Sequence, residues 1–260
     1  VTEPTEAAER PPQSVHDELR SYLEQDESRL GDVYRGQQAG QSPDEIAAAL
    51  NVATSNFVWN YTQIIKALLE GRIPGKPSMA MQVARRLRAI AKQHHLTEPT
   101  RVYLSARLAV LELQADDVPA REAEDEQALR FSTTAESRKE TGVYVYALPH
   151  YLRYPYDPAT GHTLLKVGRS ARDIMERVQA QGRTTALPED PILLRIYRAG
   201  AHSPEDLEKK FHYLLKSADH SLNVSRVAGK EWFLTTTRFL DAIARTLEVE
   251  IVVVNDIEDF

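Results

Sequence analysis

The chain changes its hydrophobic period once, and abruptly. From Val15 to Ala115 apolar residues recur at helical spacing; from Gly142 onward they alternate, or run in short stretches rich in Val, Ile and Tyr. A pattern that returns every ~3.6 residues buries one stripe of a helix, whereas a period of ~2 buries one face of a sheet, and neither serves the other structure. Two domains of different class are therefore expected within 260 residues. The predicted fold class is α+β: an all-α domain over 15–115, a charged linker over 116–141 with one short helix at Glu124 to Phe131, and a small antiparallel sheet flanked by helices over 142–254. Residues 1–14 and 255–260 read as tails.

In the N-terminal half, Leu19, Leu23 and Leu30 mark a first amphipathic segment. Ser42-Pro43-Asp44-Glu45 opens a second helix, with Ser42 as N-cap, proline at the first helical position and Glu45 completing a capping box. A turn at Asn51-Val52 leads to a longer helix carrying Phe57, Val58, Tyr61, Ile64, Ile65, Leu68 and Leu69, ended by Gly71. Helices from Ser78 to His94 and from Glu98 to Leu113 follow. The stretch Gln41 to Val58 resembles a helix-turn-helix. In that reading the second helix enters the major groove and offers Ser55, Asn56, Asn60 and Gln63, with Asn56 and Asn60 suited to adenine edges. The same stretch also reads as an ordinary helical pair in a bundle.

Charge refines the division. Residues Arg29 to Val110 carry 11 basic and 5 acidic side chains, and Gly142 to Leu247 carry 15 and 11, while the first 28 residues and Leu111 to Thr141 are strongly acidic. Two mildly basic regions permit phosphate binding despite the net charge of −6. With no cysteine, a disulfide framework, a thiolate zinc site and a cysteine nucleophile are excluded. The acidic N-terminus does not read as a secretory signal, and no apolar run is long enough to cross a bilayer. A soluble, cytoplasmic protein is expected.

The second half predicts strands at Val143 to Leu148, Thr163 to Val167 and Ile192 to Tyr197. Helices are expected at Ala171 to Gln181, Pro204 to Ser217 and Thr237 to Leu247, with extended pieces at Trp232 to Leu234 and Glu248 to Val254. Along it lie, in order, Gly142-Val143-Tyr144, Lys166-Val167-Gly168-Arg169-Ser170, Arg177, Leu207-Glu208 with His212 four residues after the acid, and Gly229-Lys230-Glu231-Trp232-Phe233. Each piece is weak alone. In this order, over about 105 residues, they resemble the GIY-YIG nuclease family, in the branch where lysine leads the second motif. The 21 residues between Tyr144 and Lys166 exceed the connection usual in that family. The insertion, His150 to His162, reads as an extended hairpin loop whose aromatics and Arg153 either contact nucleic acid or pack as a flap.

The resemblance implies a DNA endonuclease dependent on Mg²⁺ or Mn²⁺. Glu208 would bind the metal, with waters and phosphate oxygens completing an octahedral shell. Tyr144 would serve as general base, which requires cations such as Lys166 and Arg169 to favour the phenolate. Arg177 would clamp the scissile phosphate with two parallel donors. His212 shares the helix edge of Glu208, and Arg169 and Arg153 are candidate substrate contacts. Plainer readings stay open: Glu208 as a surface carboxylate, Tyr144 as a strand aromatic, Lys166 as a simple phosphate contact, Arg177 in a salt bridge to Asp173 or Glu176. Double-strand cutting from one active site would favour a homodimer or sequential nicking. The alternatives to an active nuclease are a catalytically silent nucleic-acid-binding protein and a helix-turn-helix regulator.

Overall fold

The computed structural model describes residues 10–52, 55–157, 160–169, 189–220 and 231–256. It is mixed α+β, with two compact units, Val1–Arg121 and Glu122–Phe260.

The first unit is helical: α1 (Gln13–Gln25), α2 (Arg29–Gln38), α3 (Pro43–Ala49), α4 (Asn56–Glu70), α5 (Pro77–Ala91) and α6 (Glu98–Ala115). Their periodic apolar residues meet in one core that includes Leu19, Leu23, Leu30, Val33, Phe57, Leu68, Val83, Leu87 and Leu104. Local signals set the boundaries. Ser42 and Glu45 form the capping box at α3, with Ser42 N donating to Glu45 Oε2 at 2.7 Å and Glu45 N to Ser42 Oγ at 3.3 Å. Gly71 ends α4 in the left-handed region at φ 69°, which glycine adopts without a Cβ penalty. The start of α6 is capped from elsewhere: Glu18 of α1 accepts from Thr97 N at 2.8 Å and from the Thr97 and Thr100 hydroxyls.

The short helix expected at Glu124 to Phe131 within a linker is part of a longer one, α7 (Val118–Ser137), which fills most of that segment. Small residues, Ala128, Ser132 and Ala135, form its buried side. After it come β1 (Gly142–Ala147), α8 (Pro149–Arg153), β2 (Thr163–Arg169), β3 (Ile192–Arg198), α9 (Pro204–Ser217), β4 (Trp232–Thr235), α10 (Thr237–Thr246) and β5 (Ile251–Val253). The strands form a five-stranded antiparallel sheet in the order β4-β2-β1-β3-β5. The helix expected over Ala171 to Gln181 lies outside the described residues.

β1 is the central strand and every residue in it is buried. Val143, Val145 and Ala147 join Leu165, Val167, the α9 stripe of Leu207, Phe211 and Leu215, and Leu240 and Ala244 of α10. Tyr144 and Tyr146 project to the other face, with Leu193, Ile196 and Ala135 of α7. Gly142 is required by close backbone approach: a Cβ there would stand 2.1 Å from Tyr197 O. The insertion after β1 is not a simple hairpin loop. It begins with α8 and turns back through a bridge between Asp157 and His162. Among the described residues no helix is long and apolar enough to cross a membrane.

Candidate active site

The site forms where β2 outruns β4. Lys166 pairs with Trp232 at the start of β4, and Val167 N donates to Glu231 O at 2.8 Å. Alternate N–H groups on a strand point the same way, so Arg169 N faces the same margin, past the beginning of β4. Glu208 Oε1 accepts from Arg169 N at 3.2 Å. His212, one helical turn after Glu208, donates from Nε2 to Val167 O at 2.8 Å, with its ring against Phe233. The shared edge expected for positions four apart on α9 is thus directed at one stretch of β2.

Charged side chains gather around this margin. Arg169 Nη1 lies 3.1 Å from Glu205 Oε2, and Arg169 Nε lies 3.6 Å from Glu208 Oε2. Lys166 Nζ lies 3.4 Å from Glu231 Oε2. Two carboxylates converge on Gly168: a Cβ at that residue would have Glu208 Oε1 and Glu231 Oε2 each at 3.7 Å. Glu208 is the more enclosed of the acids, with its side chain 15% exposed against 31% for Glu231 and 56% for Glu205. The Lys209 and Arg169 side chains hold the Glu205 carboxyl below its usual range.

Hard oxygen donors of this kind suit Mg²⁺ or Mn²⁺. Among the described residues no three His, Cys, Asp or Glu side chains cluster closely enough to hold an ion unaided. Glu208 and Glu231 are the two carboxylates at Gly168 that could contribute to an ion whose other ligands are waters and phosphate oxygens, the arrangement Mg²⁺ commonly takes.

The other expected residues divide. Tyr144 is opposite Gly168 in the β1–β2 ladder, but its phenol leaves the site. It donates to Glu140 O at 2.5 Å and stacks on Tyr146. Burial, then the nearby carboxylates of Glu140 and Glu136, push its pKa up to about 12. The expectation that Lys166 and Arg169 favour a Tyr144 phenolate is corrected here: both cations are paired with glutamates, and the charges that act on the phenol are negative. Tyr146 is no substitute, since its hydroxyl donates to Glu136 Oε1 at 2.9 Å and burial raises its pKa further.

Arg153 of α8 is paired with Asp125 of α7, which ties the insertion down as a flap instead of freeing the guanidinium for a strand of nucleic acid. Arg177 lies outside the described residues, as does Ser170. On α4, Asn56 is exposed as a groove-reading residue must be. Asn60, expected beside it, is corrected: it is 4% exposed, one position from the solvent-facing Trp59. Sequence reasoning assigned no role to Glu231 or Glu205. Glu231 stood in a quoted motif, but only the β2–β4 register brings it beside Lys166.

No family model, curated protein or solved structure matches the chain.

Proposed function

We propose that the C-terminal unit is a divalent-metal-dependent endonuclease hydrolysing phosphodiester bonds in DNA, centred on the Glu208–Glu231 carboxylate pair at Gly168. The observation that supports this reading best is the convergence of two carboxylates on a residue without a side chain, flanked by Lys166 and Arg169. Lys166, Arg169 and Lys209 contribute three positive charges against three negative ones from Glu205, Glu208 and Glu231, so the margin is balanced within itself.

Bound there, Mg²⁺ would supply neutralisation of a phosphate oxygen and a water of lowered pKa. Lys166 and Arg169 exchange their glutamate partners for phosphate oxygens. Glu208 and Glu231 would hold the ion, and the backbone N–H of Arg169 is a further donor at the same margin. His212 holds the β2 backbone through Val167 O and serves as a positioning residue. Arg177 retains the phosphate-clamping role its motif implies. The N-terminal unit serves in DNA or partner binding, with α3, α4 and Asn56 as the reading surface.

The surroundings of Tyr144 favour a second reading, a nucleic-acid-binding protein without cleavage, because a phenol held protonated is no base. One experiment separates them: nicking of supercoiled plasmid in Mg²⁺, in Mn²⁺ and in excess EDTA. Wild type nicks in either metal and not in EDTA, and Glu208→Ala, folded by circular dichroism, loses at least about a hundredfold, beyond the loss typical of an outer-shell partner. Equal cutting by wild type and Glu208→Ala removes the site assignment. Metal-dependent retention of DNA on a gel with no cutting selects the second reading.

A further inference from the structure

At the opposite end of β2 from Gly168, two histidines face each other. His162 precedes β2 and His220 follows α9, and their ring centroids are 5.5 Å apart with planes inclined by 50°. Each ring is held through Nδ1. His162 Nδ1 is 2.7 Å from Thr160 Oγ1, and His220 Nδ1 is 2.7 Å from Thr235 Oγ1. The Thr160 hydroxyl gives its single proton to Asp157 Oδ2 at 2.5 Å, so toward His162 it can only accept. His162 therefore carries a ring proton on Nδ1, which leaves Nε2 as its ligating atom. A carboxylate acting through a hydrogen bond on the far nitrogen is the support that metal-bound imidazoles receive in proteins.

His220 is fixed more firmly. Its ring stacks on Phe239 at 4.2 Å, its N–H donates to Leu215 O, and its carbonyl accepts from Leu234 N. Burial, and then the neighbouring His162, lower its pKa, so the neutral form able to ligate prevails near neutrality. Both residues are partly exposed, which leaves the pair open to an ion from solvent. Two imidazoles bound to one ion by N–metal bonds of about 2.1 Å, at an angle near tetrahedral, have ring centres roughly 5 to 6 Å apart. The observed separation falls within that span.

We propose that His162 and His220 form a two-histidine site for a borderline divalent ion of the Zn²⁺ class, bound through the Nε2 atoms with water completing the shell. The site is distinct from the glutamate pair at Gly168 in position and in chemistry, since imidazole nitrogen selects Zn²⁺ over Mg²⁺. Binding joins the turn before β2 to the junction of α9 and β4, and so stabilises the folded state of this unit.

The test is a calorimetric titration of the full chain with Zn²⁺, repeated in millimolar Mg²⁺ and paired with Co²⁺ absorption as a reporter of imidazole ligation. Wild type takes up one equivalent that Mg²⁺ does not displace, shows a Co²⁺ band, and melts at higher temperature with Zn²⁺. His162→Ala weakens uptake by at least about tenfold and loses the band. This variant keeps the Phe239 stack of His220, so its folding is not in question; His220→Ala is read alongside it. Zn²⁺ uptake that is absent from wild type, or unchanged in His162→Ala or in the double variant, overturns the proposal. Plasmid nicking in Mg²⁺ is unaffected by His162→Ala, so this result is independent of the nuclease reading.

Discussion

Tyr144 and Glu208 both approach Gly168, one through the strand ladder and the other through its carboxylate, yet their functional groups lie in unlike surroundings. The phenol of Tyr144 is held protonated, and its raised pKa has a definite consequence. A group whose folded pKa is raised contributes stability that is complete below its unfolded value, about 10 for tyrosine, and lost as the pH climbs toward the folded value, here about 12. Wild type should therefore lose stability relative to Tyr144→Phe between these limits, as denaturant midpoints across the alkaline range will report. At neutral pH the variant should lose about 0.5–1.5 kcal/mol with the hydrogen bond to Glu140 O, and it should nick plasmid like wild type. A drop in nicking beyond about tenfold, worth ~1.4 kcal/mol of barrier, would restore the base assignment. Gly168→Ala probes the carboxylate pair instead. A Cβ 3.7 Å from each oxygen is in ordinary contact, so stability should move by less than about 1 kcal/mol. The methyl nevertheless occupies the space between the acids, and Mg²⁺-dependent nicking should fall while the melting temperature holds.

Elements with a strong apolar rhythm were legible in the sequence, and elements whose contacts depend on small side chains were not. α9 runs from Pro204 to Ser217 as its Leu207–Phe211 spacing requires, and Ser203 Oγ accepts from Asp206 N at its start. α7 was expected only as a short helix at Glu124 to Phe131, and its full length escaped notice because the residues it buries are Ala128, Ser132 and Ala135, which carry almost no hydrophobic signal even though they let the helix lie close to the sheet. That omission explains the misreading of Tyr144. Alternation along β1 says that two faces exist, but not that both are covered. Glu231 was hidden for a different reason, since no local pattern reveals which strand lies beside β2. The α3 capping box, by contrast, was readable from four residues. Ser42→Ala should cost about 1 kcal/mol, seen as a lower urea midpoint with an unchanged slope.

Each unit of the molecule has its own apolar core and its own means of fixing its ends, so the two should unfold as separate cooperative bodies. Scanning calorimetry should resolve two transitions. Gly142→Ala, which drives a Cβ into the Tyr197 carbonyl, should depress only the one belonging to the sheet, by about 1–3 kcal/mol; a single transition shifted as a whole would contradict this independence. Within the sheet, the carboxylate bound to the Arg169 amide has a bearing on how variants behave in the tube. Glu208 satisfies the Arg169 amide, and strand amides left unpaired can template strand addition from another chain. Truncating it to alanine therefore risks self-association as well as inactivity, whereas glutamine keeps an acceptor oxygen at that amide, and light scattering of the two side by side tells a lost reaction from a lost monomer.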